Sequence, residues 1–274
     1  MEKISRSNFV YNKEDKIGFG SFSNVYKGKN LKTNEEVAVK VESKYEGSNI
    51  LHLEYYYHDI LSKNKNDFIP KLYGLYYSKE NNYLVSQLLG YSLGQIKGKI
   101  EQNFDEFSIK NIAKKAILCL EYIHSKGIIH RDIKPDNIVL DKDYKKLYFI
   151  DFGLSKEYKR NNMHIPFRTK INPTGTLRYM SKYCNKMMEV SRRDDVISLI
   201  YVLIFLYKGS LPWQGVEGST KSEKYKLVAD KKMQLTSEEV CNGCPKYFKK
   251  LLDYSYKLSF EDEPNYNFML GLLE

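Results

Sequence analysis

The sequence predicts an α+β protein of two lobes, a small β-rich one followed by a larger helical one. Two observations carry this expectation. In the first third, Val37, Val39 and Val41 alternate with Ala38 and Lys40, a period of two that sends alternate side chains to opposite faces of a strand. Beyond about Tyr91 the period changes: Ile112, Ala116, Leu120 and Ile123 fall on one side of a helix over Ile109–His124. A chain of 274 residues, 42% hydrophobic and 28% charged, has the length and composition to bury a core.

The elements follow in order. Ahead of the valine strand lies Ile17-Gly18-Phe19-Gly20-Ser21-Phe22-Ser23-Asn24-Val25, a glycine-bearing strand–turn–strand. Residues Asn49–Lys63 have helical character, with Leu53, Tyr57, Ile60 and Leu61 at helical spacing. Two further β-rich runs, Leu72–Ser78 and Tyr83–Leu89, are joined by a predicted turn over Lys79-Glu80-Asn81-Asn82, since asparagine tolerates positive φ. The lobe junction is expected near Leu88–Tyr91. Val196–Tyr207 is apolar apart from Ser198, but its 12 residues fall well short of the ~20 that span a bilayer. It reads as a buried helix, and Tyr247–Leu258 as another. There is no internal repeat and no low-complexity tract.

Charge narrows the partners without naming one. Lysine plus arginine outnumber aspartate plus glutamate 44 to 34, a net charge of +10 that favours phosphorylated or acidic protein, nucleotide, nucleic acid or a membrane surface. Met1–Val10 carries no apolar signal core, and four cysteines are too few for a disulfide scaffold. These features predict a soluble, intracellular, basic globular protein. Cys241-Asn242-Gly243-Cys244 lacks a second Cys/His pair and reads as a plain loop. The pairs Lys145-Lys146, Lys231-Lys232 and Lys249-Lys250 read as solvated surface, and Tyr55-Tyr56-Tyr57 as helix packing.

The chemistry-bearing residues come in a fixed order. Gly18 and Gly20 let backbone amides approach phosphate closely. Lys40 shares a strand face with the small Ala38, and Glu54 on the next helix can hold its ammonium in place. Then come His130-Arg131-Asp132-Ile133-Lys134-Pro135-Asp136-Asn137 and Asp151-Phe152-Gly153. The ordered set of glycine loop, Val-Ala-Val-Lys, His-Arg-Asp…Asn and Asp-Phe-Gly resembles a eukaryotic protein kinase.

The resemblance implies a bilobal protein-kinase fold over 1–274, with an N-lobe of about 1–87, a hinge of about 87–91 and a C-lobe of about 92–274. It implies ATP and Mg2+ as cofactors and an active site in the cleft between lobes. Nucleotide would lie against Ile17, Gly18, Gly20, Val25, Ala38, Lys40, Glu54, Ser86, Gln87 and Leu89. Asn137 and Asp151 would hold magnesium, Asp132 would orient the acceptor hydroxyl, and Lys134 would neutralise the γ-phosphate. Thr176 would brace Asp132 and Lys134, as in serine/threonine enzymes.

The second half narrows the family. No Ala-Pro-Glu triplet follows Thr174-Gly175-Thr176-Leu177-Arg178-Tyr179-Met180-Ser181. Together with His164-Ile165-Pro166-Phe167-Arg168, Ser191-Arg192-Arg193-Asp194-Asp195 and Gly209-Ser210-Leu211-Pro212-Trp213-Gln214-Gly215, that departure resembles the casein kinase 1 family. Leu88-Leu89-Gly90, Ser92-Leu93 and Leu51-His52-Leu53-Glu54 fit the same family. Vaccinia-related kinases are the nearest rival, and a catalytically weak scaffold the alternative class. All four of Lys40, Asp132, Asn137 and Asp151 are present, which favours the enzyme.

The resemblance further implies acidic or phosphate-primed protein substrates, read by Arg178, Lys224 and the backbone at Gly215. It also implies a monomer of cytoplasm or nucleus, with nucleic acid not expected as a partner. Three departures stand out. Ser23 replaces the third loop glycine, Ser86 stands where the family commonly has a methionine gatekeeper, and Gln87 replaces the usual hinge glutamate. The sequence ends at Glu274 without the long regulatory tail that many members carry, so autoinhibition by such a tail is not expected.

Overall fold

In the computed structural model, which describes residues 1–274 apart from 21–22, 47–48 and 64–65, the valine alternation forms one strand of a six-stranded antiparallel sheet. The strands are β1 (Glu2–Lys3), β2 (Phe9–Phe19), β3 (Ser23–Asn30), β4 (Glu36–Ser43), β5 (Leu72–Tyr77) and β6 (Asn81–Gln87), in spatial order β1-β2-β3-β4-β6-β5. Val37 and Val39 are fully buried in a cluster with Ile4, Phe9, Tyr11, Tyr83 and Val85. Burial of each valine contributes roughly 1.5–3 kcal/mol. The pleat sends Ala38 and Lys40 to the opposite face, where they sit directly across from Ser86 and Leu84 of β6.

The predicted turn needs correction. Asn81 and Asn82 belong to β6, and the turn is closed earlier by Ser78 N donating to Asn81 O at 2.9 Å. Asn82 is buried because its side-chain amide donates to Glu42 Oε2 at 3.2 Å. Helix α1 (Ile50–Ser62) also turns a different face inward from the one its apolar residues suggest. Leu53 is half exposed, whereas Leu51, Glu54, His58 and Leu61 are buried. Two of those four are polar and keep partners: Glu54 meets Lys40, and His58 Nε2 lies 2.7 Å from Pro70 O. Within the tyrosine triplet, Tyr56 is half exposed and stacks edge-on against Tyr57.

The chain divides into two compact units. The first is Met1–Gly90 together with Leu140–Leu154, and the second is Tyr91–Val139 together with Ser155–Glu274. The second unit is helical: α2 (Leu93–Lys99), α3 (Glu106–Ser125), α4 (Lys182–Asn185), α5 (Arg192–Lys208), α6 (Lys221–Gln234), α7 (Ser237–Val240), α8 (Lys246–Lys257) and α9 (Tyr266–Gly271). Ser92 and Gln95 form a reciprocal capping box at the start of α2, and Asp105 accepts from Ser108 N to start α3. Helix α5 is the spine of this unit. Every residue from Val196 to Ile204 is buried, and both α3 and α8 pack on the helix. It stops at Gly209, whose φ of +84° suits glycine. Among the described residues, no helix is long and apolar enough to cross a membrane. The architecture is the bilobal α+β kinase fold.

Candidate active site

Within the first unit, β2 and β3 form the glycine-bearing hairpin. Gly18 pairs with Val25, and Gly20 N donates to Ser23 O at 2.7 Å. Residues 21–22 of the predicted loop lie outside the described residues; Ser23 begins β3 and pairs with Glu42. Val25 is directly across from Lys40, so Val25, Ala38, Lys40 and Ser86 occupy one sheet face. Ile17 near the end of β2 is partly exposed.

Lys40 Nζ donates to Glu54 Oε2 at 2.6 Å and to Asp151 Oδ1 at 3.1 Å. The trio joins the sheet, α1 and the Asp-Phe-Gly segment. Burial alone would strip the Lys40 charge, but the carboxylates of Glu54 and Asp151 hold its pKa above the ordinary lysine value. Burial pushes the Glu54 carboxyl up to about 7 against the pull of Lys40, with Asp151 and Glu42 adding to the rise. Asp151 adopts φ of 66°, a left-handed conformation unusual outside glycine. Phe152 is fully buried and packs against His58.

At the end of β6, Gln87 N donates to Lys71 O at 2.8 Å, and Gln87 Oε1 accepts from Lys71 N at 3.2 Å. Gly90 N donates to Leu140 O at 2.8 Å, and a Cβ on Gly90 would stand 2.8 Å from Asp141 O. Only glycine fits there. Leu89 lies in the irregular segment between these two anchors.

Within the second unit, the carboxylate of Asp132 is held from several directions. Thr176 donates its amide and its hydroxyl to Oδ1 at 2.9 and 2.8 Å. Lys134 Nζ donates to Oδ2 at 2.6 Å, and Asn137 Nδ2 donates to the backbone oxygen and Oδ2 at 2.9 and 3.2 Å. Arg131 has φ of 68°, and Gly175, with φ of +106°, lies so close that a Cβ would strike Arg131 O.

Sequence reasoning quoted Asp195 only as part of a family signature; its role is visible in the fold. Its two carboxylate oxygens accept from His130 N at 2.7 Å and Arg131 N at 2.9 Å, and His124 Nε2 lies 3.0 Å away. Burial alone would raise this carboxyl, but His124 and the His130 amide hold its pKa below the ordinary aspartate value. A buried anion thus fixes the loop that carries Asp132.

Arg178 and Lys224 are both exposed, and among the described residues neither forms an ion pair. The Arg178 guanidinium lies 5.4 Å from the Phe205 ring centroid, and Lys224 occupies the first turn of α6. Gly215, with φ of +76°, has open space where a Cβ would be. The three are placed on the surface of the second unit. The expectation for Lys231-Lys232 fails at its second residue: Lys232 is fully buried. The Cys241/Cys244 pair closes a turn, Cys244 N donating to Cys241 O at 2.8 Å. Burial pushes both thiols up, to about 12 and about 11, unlike thiols poised to bind metal.

A family model for the protein kinase domain matches residues 11–263. The chain belongs to the protein kinase family. That membership brings ATP, a divalent cation, typically Mg2+, and protein as the phosphate acceptor. Oxygen donors suit such a hard cation. In the second unit, Asn137 commits its amide nitrogen to Asp132, so only its amide oxygen is of a kind to ligate; in the first unit, one carboxylate oxygen of Asp151 accepts from Lys40.

Proposed function

We propose that this chain is a serine/threonine kinase of casein kinase 1 type, acting on acidic or phosphate-primed proteins. The observation that carries the reading is the carboxylate of Asp132 held by both Thr176 and Lys134, the residue pair expected of serine/threonine enzymes. Asp132 accepts the proton of the acceptor hydroxyl as its oxygen bonds to the γ-phosphorus and ADP leaves. Lys134, beside it, offsets negative charge on the transferring group. Lys40 holds the α- and β-phosphates, with Glu54 setting its direction. Gln87 and Leu89 offer the carbonyl and amide that meet adenine. Asn137 and Asp151 would hold the cation, which when bound would supply positive charge against the phosphates.

Among the described residues Arg178 and Lys224 are exposed and form no ion pair, and the net charge of +10 suits an anionic protein. A phosphoserine offers three acceptor oxygens and about −1.5 to −2 charge, which suits a guanidinium, an ammonium and the open backbone of Gly215 on the same unit. One charge-assisted contact is worth ~1.5–3 kcal/mol, so losing it should cost roughly ten- to a hundred-fold in kcat/KM. The test compares Arg178→Ala and Lys224→Ala on primed and unprimed peptides of one sequence, with ATP and Mg2+. Losses confined to the primed peptide support the reading; equal losses on both peptides overturn it. Phosphotyrosine as the main product of casein phosphorylation would overturn the serine/threonine assignment.

A further inference from the structure

We propose that Lys232 and Trp213 are positioning residues for protein substrate, holding the segment that carries both Thr176 and Arg178. The observation is a fully buried lysine with neutral partners. Lys232 Nζ donates to Leu177 O at 2.8 Å, to Met180 O at 2.8 Å and to Asn185 Oδ1 at 2.9 Å, which uses its three hydrogens. The carbonyl between them is held from another direction: Trp213 Nε1 donates to Arg178 O at 2.7 Å. Trp213 and Tyr201 flank the ammonium, with ring centroids 4.8 and 5.5 Å away. Tyr179 N and Met180 N both donate to Thr176 O at 2.9 Å. The carbonyls of residues 177, 178 and 180 are thereby turned inward, and the Arg178 side chain is left exposed.

Burying an ammonium against uncharged acceptors is costly, and burial drives the Lys232 pKa well below the ordinary lysine value. A side chain kept under that penalty is one whose three-way geometry is needed. Many kinases carry an Ala-Pro-Glu triplet just after this segment. Here, with no such triplet, α6 and the Trp213 loop supply the anchor. The inference rests on the reading of Arg178 as a substrate-binding residue, and its test separates the two.

Lys232→Met removes the three donors and keeps a long apolar stem; Trp213→Phe removes only the indole donor and decides the matter if the lysine variant does not fold. Two readouts are compared with wild type: amide hydrogen exchange across residues 176–181, and KM for a primed peptide against KM for ATP. Expected are at least ten-fold faster exchange in that segment and a peptide KM raised about ten-fold, with KM for ATP within two-fold. Unchanged exchange in a folded variant would overturn the anchor, whatever the activity. Faster exchange with peptide KM and ATP KM rising in parallel would overturn the substrate-positioning role and indicate general loosening. Because exchange needs no turnover, failure of the Arg178 reading shows separately, as no preference of wild type for primed over unprimed peptide.

Discussion

Thr176 donates twice to a single oxygen of Asp132, through its amide at 2.9 Å and its hydroxyl at 2.8 Å. The other oxygen takes Lys134. The carboxylate is therefore fixed about its own axis by two residues on different loops. Thr176→Val keeps the shape and the amide bond but removes the hydroxyl. The loss of one hydrogen bond to a charged group, ~1.5–3 kcal/mol, predicts a fall in kcat of roughly ten- to a hundred-fold. ATP affinity should be unchanged. Steady-state kinetics on casein, with nucleotide titration alongside, check both halves; an unaltered kcat would show that the hydroxyl does not orient Asp132. Asp132→Asn should fold yet retain little transfer.

Glu42 does for α1 what its own cap residue does not. Asn49 makes no side-chain cap bond, whereas Glu42 Oε1, two residues beyond Lys40 on β4, accepts from Leu51 N at 3.2 Å. The same carboxylate ties Lys40's strand to the helix that carries Glu54. A capping interaction is worth ~1 kcal/mol. Glu42→Ala should lower the melting temperature by a few degrees and raise KM for ATP several-fold, because Glu54 loses its register against Lys40. A variant with lowered stability but unchanged KM for ATP would mean that Glu42 supports the fold alone.

Asp194 makes stability depend on pH. Burial pushes its carboxyl from the ordinary 3.8 up to about 6, against the pull of Ser181 and the Ser191 amide. Between those two values the folded state holds a proton that the unfolded state has released. The contribution of Asp194 to stability therefore falls as pH rises from about 4 to about 6, by about 3 kcal/mol, and is level beyond. Asp194→Asn is less stable at pH 4, having lost one acceptor, but it lacks this slope. Denaturant unfolding at pH 4, 5, 6 and 7 should show the gap between wild type and variant shrinking with pH. A constant gap would place the proton elsewhere.

Much of this was legible because local pattern and tertiary burial agree. The valine alternation of β4 reads directly as two faces, one packed and one carrying Ala38 and Lys40, and the apolar run of α5 becomes the most buried helix. The departures occur where polar residues are buried by distant partners. Lys232 looks like half of a surface lysine pair; its acceptors lie 47 to 55 residues away and two are backbone carbonyls, which leave no trace in composition. Asn82 resembles a turn residue until Glu42 is seen beside it. Glu54 and His58 displace Leu53 from the inner face of α1 because Lys40 and Pro70 need them there.

If the proposed nucleotide site is right, Ser86 should make the first unit selective for bulky ligands. It lies directly across β4–β6 from Ala38, so two small side chains face each other on the side of the sheet that carries Lys40. Ser86 is only partly buried, and its other neighbour across the sheet is Leu72. A methionine here would fill several heavy atoms' worth of that space, and packed surfaces register even one methylene. Apolar bulk on a ligand gains ~0.8 kcal/mol per buried CH2, so an aromatic substituent burying the equivalent of two or three such groups should gain ten- to a hundred-fold in affinity. Pyrazolopyrimidine inhibitors with large aromatic substituents are the probe. Inhibition of wild type and Ser86→Met by one such compound, at matched ATP saturation, should differ by that factor in favour of wild type. The unsubstituted parent compound should inhibit both alike. If the bulky compound inhibits the methionine variant equally well, Leu72 or a side chain of α1 already closes the space beside Ser86.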